Sequence, residues 1–441
     1  MSLVRHSVFT VLTHILVQFF GILTGVIMAR ILGPEGRGVY ALYYTNALLL
    51  TTFCSFSFNI ALVYFIPSGK FSPEKMLGLS FIVNIISSLI SVIIILASYF
   101  SQFKTLLFSD KYMSFAFLAW LIIYTITSFL SSTYTSFFQA TKQFSHLNKI
   151  NLISSIISLL LFILLWFGQD ICKSHVGLSL LILFVAQVVG IIIYAYNLHL
   201  KLKVKPSFKF NIKQDFKGLK EFLIAAHLSI VANFFNYRFS TWIIHYYINE
   251  AALGLYSLAI NSGGIFLLVT EPLSMVLTPY LSSKKDEDKL QMFYSYFRIL
   301  FWTILMAAIV LLFLAPIIFP WVYGNEFYDS VLLFQILIPG FVFSSMTKIL
   351  ASFVISSGKQ KYNLYATLVG LSITLIFNFI LVKNYYEVGA VMANLLTYFG
   401  IFICLIIICN AKLKLNIKKL FSLTLSDIQL LKTGIKNIRR S

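Results

Sequence analysis

The sequence predicts an all-α integral membrane protein of twelve transmembrane helices, built as two parallel six-helix repeats. Three observations carry that expectation. The 441 residues are 59% hydrophobic and only 11% charged, whereas a soluble domain is about 25% charged. Apolar stretches of about 20 residues, each long enough for a ~30 Å hydrocarbon core, recur from end to end and leave no soluble domain between them. Short motifs of the first half return in the second at a near-constant offset.

The expected spans are 8–32, 39–66, 76–100, 112–139, 145–167, 176–199, 221–248, 251–280, 290–319, 329–356, 361–382 and 387–411. The first is too long for a signal h-region and no A-x-A-like site follows it, so it reads as a retained helix. An even number of spans puts both termini on one side. Arg5, Lys70, Lys75, Lys142, Lys149, "KLKVKPSFKFNIKQDFKGLK" (201–220), "KKDEDK" (284–289), Lys359, Lys361 and the tail after 411 fall there. The opposite loops carry only Arg30, Arg37, Lys104, Lys111, Lys173 and Lys383. The positive-inside rule therefore puts both termini and the 201–220 segment in the cytoplasm. The net charge of +19 is thus a topology signal; no RRM or helix-turn-helix pattern presents it to nucleic acid. Cys54, Cys172, Cys404 and Cys409 are scattered without C-x-x-C or zinc spacing, so no cofactor metal and no disulfide framework is expected.

The repeat aligns "GVYAL" (38–42) with "GLYSL" (254–258), 216 residues on, and "QATKQ" (139–143) with "SSGKQ" (356–360), 217 on. "HVGLSLL" (175–181) resembles "EVGAVMA" (387–393). Their common spacing indicates a duplication. Both halves enter from the same side, so the repeat is parallel, about an axis along the membrane normal. The expected organisation is a six-helix lobe (1–200), a basic linker (201–220), a second six-helix lobe (221–411) and a basic tail (412–441). The linker reads most simply as a solvated loop attracted to anionic lipid.

Residues seven or eleven apart on a helix share a face to within roughly 20°. In the seventh span His227, Arg238 and His245 form one stripe with Thr241 a turn away; lipid cannot satisfy such groups, so the stripe should face protein or water. The second span places Thr45, Thr52 and Asn59 on one face, and the first offers His14, Gln18, Gly21 and Gly25. For these two, helix packing explains the pattern as well as a substrate path does. The deep ionisable residues are Arg238, Glu271, Arg298 and Lys348, all in the second half; Ile22 is the first-half counterpart of Arg238. Glu271, Arg298 and Lys348 lie at similar depths of about 13–16 Å and Arg238 at about 25 Å, which favours a Glu271–Arg298 pair. Lys348 also has the simpler reading of a snorkelling side chain. Pro272, Pro279, Pro316 and Pro339 add bending points.

With the repeat and "ILGPEGRGVYAL" (31–42) in view, the chain resembles the polysaccharide or O-antigen (Wzx-like) flippases of the MATE/MOP superfamily. "AALGLYSLAI" (251–260), "FFQATKQF" and "VISSGKQKYN" also resemble that group's segments. The resemblance implies a V of two six-helix bundles in the bacterial inner membrane, opening alternately to each side. It implies a polyprenyl-pyrophosphate-linked oligosaccharide as substrate, with membrane lipids and a polysaccharide polymerase as partners, and a cationic cavity to which Arg238 belongs. Substrate-binding candidates are Arg238, Arg298, Lys348, His227, His245, Thr241, Asn59 and Gln18. Many relatives carry an acid just after this arginine; here Phe239 and Ser240 follow, which leaves Glu271 and His14 as candidates for coupling to H⁺ or Na⁺. Two other functions compete. A drug or cation antiporter of the same superfamily would favour an acidic cavity, and this one is net basic. A multi-span glycan polymerase or ligase would need outward catalytic groups, and no nucleophile–base pair, Walker loop or paired carboxylates are present.

Overall fold

The computed structural model describes residues 2–102, 104–169, 174–209, 212–282, 286–422, 424 and 427. Cys172, Lys173, Lys284, Lys285 and the tail after 427 lie outside the described residues. Regular structure among the described residues is helical throughout.

Helix α1 (Ser2–Cys54) is two rods, because Gly33 within it takes φ 62° and ψ −177°. Only glycine holds that conformation at little cost. Pro34 follows; it cannot continue the first rod's hydrogen-bond ladder and is pre-set for the first turn of the second. "ILGPEGRGVYAL" is thus a sharp joint between two helices. The second rod stops where Phe56 and Ser57 take positive φ, and α2 (Phe58–Phe65) resumes, so the expected span 39–66 is an interrupted helix.

The first half continues with α3 (Pro73–Tyr99), the short α4 (Lys104–Leu107), α5 (Phe115–Ala140), α6 (Phe144–Phe167) and α7 (His175–Tyr196). α3 starts cleanly: the Ser72 side chain accepts from the Lys75 amide at 3.3 Å, Pro73 opens the helix and Glu74 sits in its first turn, each favourable at a helix N-terminus.

The second half holds α8 (Ile212–Tyr247), α9 (Glu250–Ser262), α10 (Gly264–Ser282), α11 (Asp286–Tyr323), α12 (Ser330–Ser356), α13 (Lys361–Leu413) and α14 (Ile417–Phe421). Asn249 caps α9 through the Ala252 amide at 2.8 Å. The expected span 251–280 is divided at Gly263, where a Cβ would lie 2.1 Å from the Phe341 ring. α13 reverses at Tyr386 (φ 53°, ψ −137°), and Gly389 then packs on the Leu381 carbonyl, 2.1 Å from where its Cβ would be. Breaks therefore fall at Gly33 and Gly263, at Phe56–Ser57 and at one strained tyrosine, while Pro316 and Pro339 lie inside continuous helices.

Nine helices among the described residues are long and apolar enough to cross a membrane, which makes this a multi-pass membrane protein. α1 and α13 each cover two of the twelve expected segments, and α8 covers the segment 221–248.

The largest cluster of buried apolar side chains runs through residues 242–420 and takes in Ala29 and Leu42 of α1. Three smaller clusters lie mostly in the first half. The two halves meet most closely where α1 crosses α9. A Cβ on Gly38 would stand 1.8 Å from the Glu250 carbonyl oxygen, and one on Gly254 would stand 1.8 Å from that of Pro34. The repeated "G-x-Y-x-L" motifs thus touch each other backbone to backbone, each glycine admitting the other chain.

Candidate functional site

Helix α8 buries Asn236, Ser240 and Ile244 at four-residue intervals. Asn236 donates to the Thr367 carbonyl (3.0 Å) and accepts from Thr374 (3.3 Å), whose hydroxyl is 2.9 Å from that of Thr397. Ser240 donates to Asn394 at 3.4 Å, and the Asn394 amide donates to the Tyr256 hydroxyl. Linked hydrogen bonds in a low-dielectric interior reinforce one another and hold α8 in register with α9 and α13.

The adjacent face of α8 reaches the first half. His227 Nδ1 is 3.1 Å from Ser57 Oγ, the rings of Phe235 and Phe53 meet at 5.6 Å, Trp242 Nε1 donates to Asn46 Oδ1 at 2.8 Å, and His245 Nε2 is 2.9 Å from the Thr105 carbonyl. Arg238 lies on this face between Phe235 and Trp242. It is half-buried, and no carboxylate pairs with it among the described residues. Thr241 is buried one turn further on.

A second group of polar residues gathers from three helices. Lys348 of α12 is hydrogen-bonded and ion-paired to Glu271 of α10, and His14 of α1 places Nε2 3.7 Å from the other oxygen of that carboxylate. His14 Nε2 is buried and has no hydrogen-bond partner among the described residues. This cluster brings a side chain of the first half beside a carboxylate of the second.

The expected Glu271–Arg298 pair is not formed. Arg298 of α11 is 7% exposed and grips Asp427 with two bonds, Nε to Oδ2 at 2.7 Å and Nη2 to Oδ1 at 2.8 Å; Nη1 donates to the Lys419 carbonyl at 2.9 Å. Trp302 donates to the Phe421 carbonyl at 3.1 Å, and the Phe421 ring packs on Phe297 and Phe301. Arg298 is therefore withdrawn from the substrate-binding set: its donors are spent on the segment that follows α13. Depth counting missed this because Asp427 sits in a tail that composition alone reads as solvated.

The remaining candidates stand apart. Asn59 turns its side-chain carbonyl to the Ile60 amide at 3.0 Å, and Gln18 is exposed. His245 Nδ1 lies 3.9 Å from Glu250. No group of three metal-ligating side chains occurs among the described residues.

A cavity of about 420 Å³ opens in the first half between α1, α5, α6 and α7. Its lining includes Asn151, Ser154 and Ser158 of α6. Their spacing of three and four residues in "NLISSIIS" (151–158) is a polar helical face that was open to sequence reading and went unused.

The profile of the polysaccharide biosynthesis protein family matches residues 3–285. No curated protein matches in sequence. Among solved structures the fold is similar to the lipid II flippase MurJ in an inward closed conformation, with a TM-score of 0.69 at 15% identity over 95% of this chain and 89% of that one. It is also similar to an inward-facing multidrug resistance MATE transporter of the MOP superfamily (TM-score 0.68, 15% identity, 90% of this chain and 96% of that one). A MOP superfamily transporter from Pyrococcus furiosus compares at a TM-score of 0.64 and 14% identity, over 92% and 96% of the two chains. With the profile spanning well over half of its length and a MOP-transporter fold throughout, the chain belongs to the polysaccharide biosynthesis protein family.

Proposed function

We propose that this protein is a flippase that turns polyprenyl-pyrophosphate-linked oligosaccharide units from the cytoplasmic to the periplasmic leaflet of a bacterial inner membrane by alternating access. In this reading the two six-helix lobes rock against each other, both termini are cytoplasmic, no cofactor is needed, and H⁺, Na⁺ or the membrane potential supplies the drive. A polysaccharide polymerase would take the delivered units. Family membership and the fold support a transporter of this kind; Arg238 carries the substrate class. A cation held on an apolar helix with no acidic partner is costly, and an anionic ligand would offset that cost. The guanidinium fork matches phosphate oxygens in geometry and charge, while the polyprenyl tail stays in lipid.

Arg238→Ala should abolish surface glycan and Arg238→Lys should retain part of it, both at normal protein abundance. Normal glycan in the alanine variant would sink the assignment. Drug or cation antiport is the second reading; it fits poorly because Arg238, which has no acidic partner among the described residues, would repel such a substrate.

A further inference from the structure

The cavity between α1, α5, α6 and α7 has a lining unlike the charged sites of the second half. Ser131, Thr135, Asn151, Ser154, Ser158 and Gln187 face it, and no Lys, Arg, His, Asp or Glu does. Small and hydroxyl residues in membrane helices commonly serve close helix contact. Gly190 of α7 does so here, since a Cβ on it would lie 3.0 Å from Ser154 Oγ, but the α1 side is open. A Cβ on Gly21 or Gly25, which line the cavity on α1, would meet nothing within 4 Å, in contrast to the backbone collisions at Gly38 and Gly254. Nor are all the hydroxyls used up by the helices that carry them. Thr24 and Ser155 bond back to carbonyls four residues earlier, but Ser131, Ser154 and Ser158 make no hydrogen bond with another described residue.

Asn151 accepts from Tyr194 and Gln187 bonds Thr127 and Ser128, but the free serine hydroxyls around the void select a ligand by what they lack. An apolar molecule would leave each of these hydroxyls unsatisfied, at about 1–3 kcal/mol apiece. A phosphate would find no cation in the lining, and the neighbouring Arg37 is turned to the Gly25 carbonyl at 3.1 Å. A neutral polyol presents hydroxyls that donate and accept together, as Ser, Thr, Asn and Gln side chains do. Tyr40, stacked on Tyr44 with ring centroids 6.1 Å apart, adds an aromatic wall of the kind that lies against the C–H face of a sugar ring. The volume of about 420 Å³ falls within the roughly 300–1,000 Å³ of small-molecule sites.

The cavity also lies where a two-part ligand would need it. Gly21 and Gly25 share the α1 face of His14 and are about 10 and 16 Å along it, so the neutral lining starts two turns from the His14–Glu271–Lys348 cluster. We propose that this cavity is a sugar subsite that holds uncharged residues of the transported glycan, while cations of the second half hold its pyrophosphate. The proposal rests on the flippase reading above.

The test uses purified full-length protein in nanodiscs and two lipids: polyprenyl pyrophosphate, and the polyprenyl-pyrophosphoryl oligosaccharide extracted from cells lacking the protein. Wild type should bind the sugar-bearing lipid at least tenfold more tightly. Gly25→Leu and Ser158→Leu, which fill the cavity, should lose that advantage yet bind polyprenyl pyrophosphate as wild type does, which also shows that they fold; Ser158→Thr should keep it. Filled variants that retain the full advantage would overturn the sugar subsite and leave the flippase reading standing. Wild type that binds neither lipid would overturn both.

Discussion

Three deep cations of the second half meet three different fates. Arg298 is fully committed to a carboxylate that is itself buried. Lys348 shares Glu271 with His14, each side chain about one-third exposed or less. Arg238 is half-buried and pairs with no acid among the described residues. Removing one partner of a buried pair strands the other charge, at about 3–5 kcal/mol. Asp427→Asn should therefore cost about that much in chemical denaturation, and Arg298→Met with Asp427→Leu should recover most of it. Glu271→Gln should cost less than Asp427→Asn in the same melts, because water still reaches Lys348; an equal or larger loss would mean that the cluster is sealed. The stripe on α8 was legible because seven- and eleven-residue spacing survives in any straight helix. Partner choice was not, since depth places Glu271, Arg298 and Lys348 alike and says nothing of Asp427, which lies beyond the last span.

At the scale of elements, the segment after α13 is a strap whose hold depends on a titrating group. Burial pushes the Asp427 carboxyl up, but hydrogen bonds from Arg298 and Thr424 outweigh it and hold the group well below the usual carboxylate range. Lowering in the folded state means the anchoring is complete above the unfolded value, about 3.9, and is lost as pH falls through the folded one. Trp302 reports on this directly through its bond to Phe421. Its emission, taken as the difference from Trp302→Phe, should stay constant from about pH 8 to 5 and change only in stronger acid. Asp427→Asn should show the released emission already at neutral pH, and identical spectra would refute the strap. Each of the nine helices long enough and apolar enough to cross a membrane among the described residues overlaps an expected segment, and the expected breaks at 33–38 and 383–386 contain the Gly33 and Tyr386 joints. The breaks at Phe56–Ser57 and Gly263 were not indicated, since Gly263 looks like any other glycine until packing shows what it avoids.

For the whole molecule, the duplication read from "GVYAL" and "GLYSL" has a physical counterpart, since these motifs are what the halves press together. Neither partner has room for one more carbon. Gly38→Ala and Gly254→Ala should each destabilise by about 1–3 kcal/mol or more, the cost of overpacking against a backbone that cannot swing aside. Gly21→Ala, which borders open space, should be neutral. Thermal melts in detergent would check all three, and an unshifted Gly254→Ala would show that the crossing is looser than 1.8 Å implies. What sequence could not supply is that these copies meet each other rather than occupy equivalent, separate places.

Contact between two bare backbones has no rotamers to re-sort, so it behaves as a bearing: it permits tilt and resists sliding, because a step along either axis brings a side chain against a carbonyl. Travel elsewhere is then set by leverage. His14 lies 19 residues before the Gly33 joint, about 28 Å along the rod. A tilt of about 5° in that rod would carry it roughly 2.4 Å, which is enough to take it out of reach of Glu271, already 3.7 Å away. The His14–Glu271 approach between the halves is thus placed where a small rotation is felt most, and the glycine pair where it is felt least.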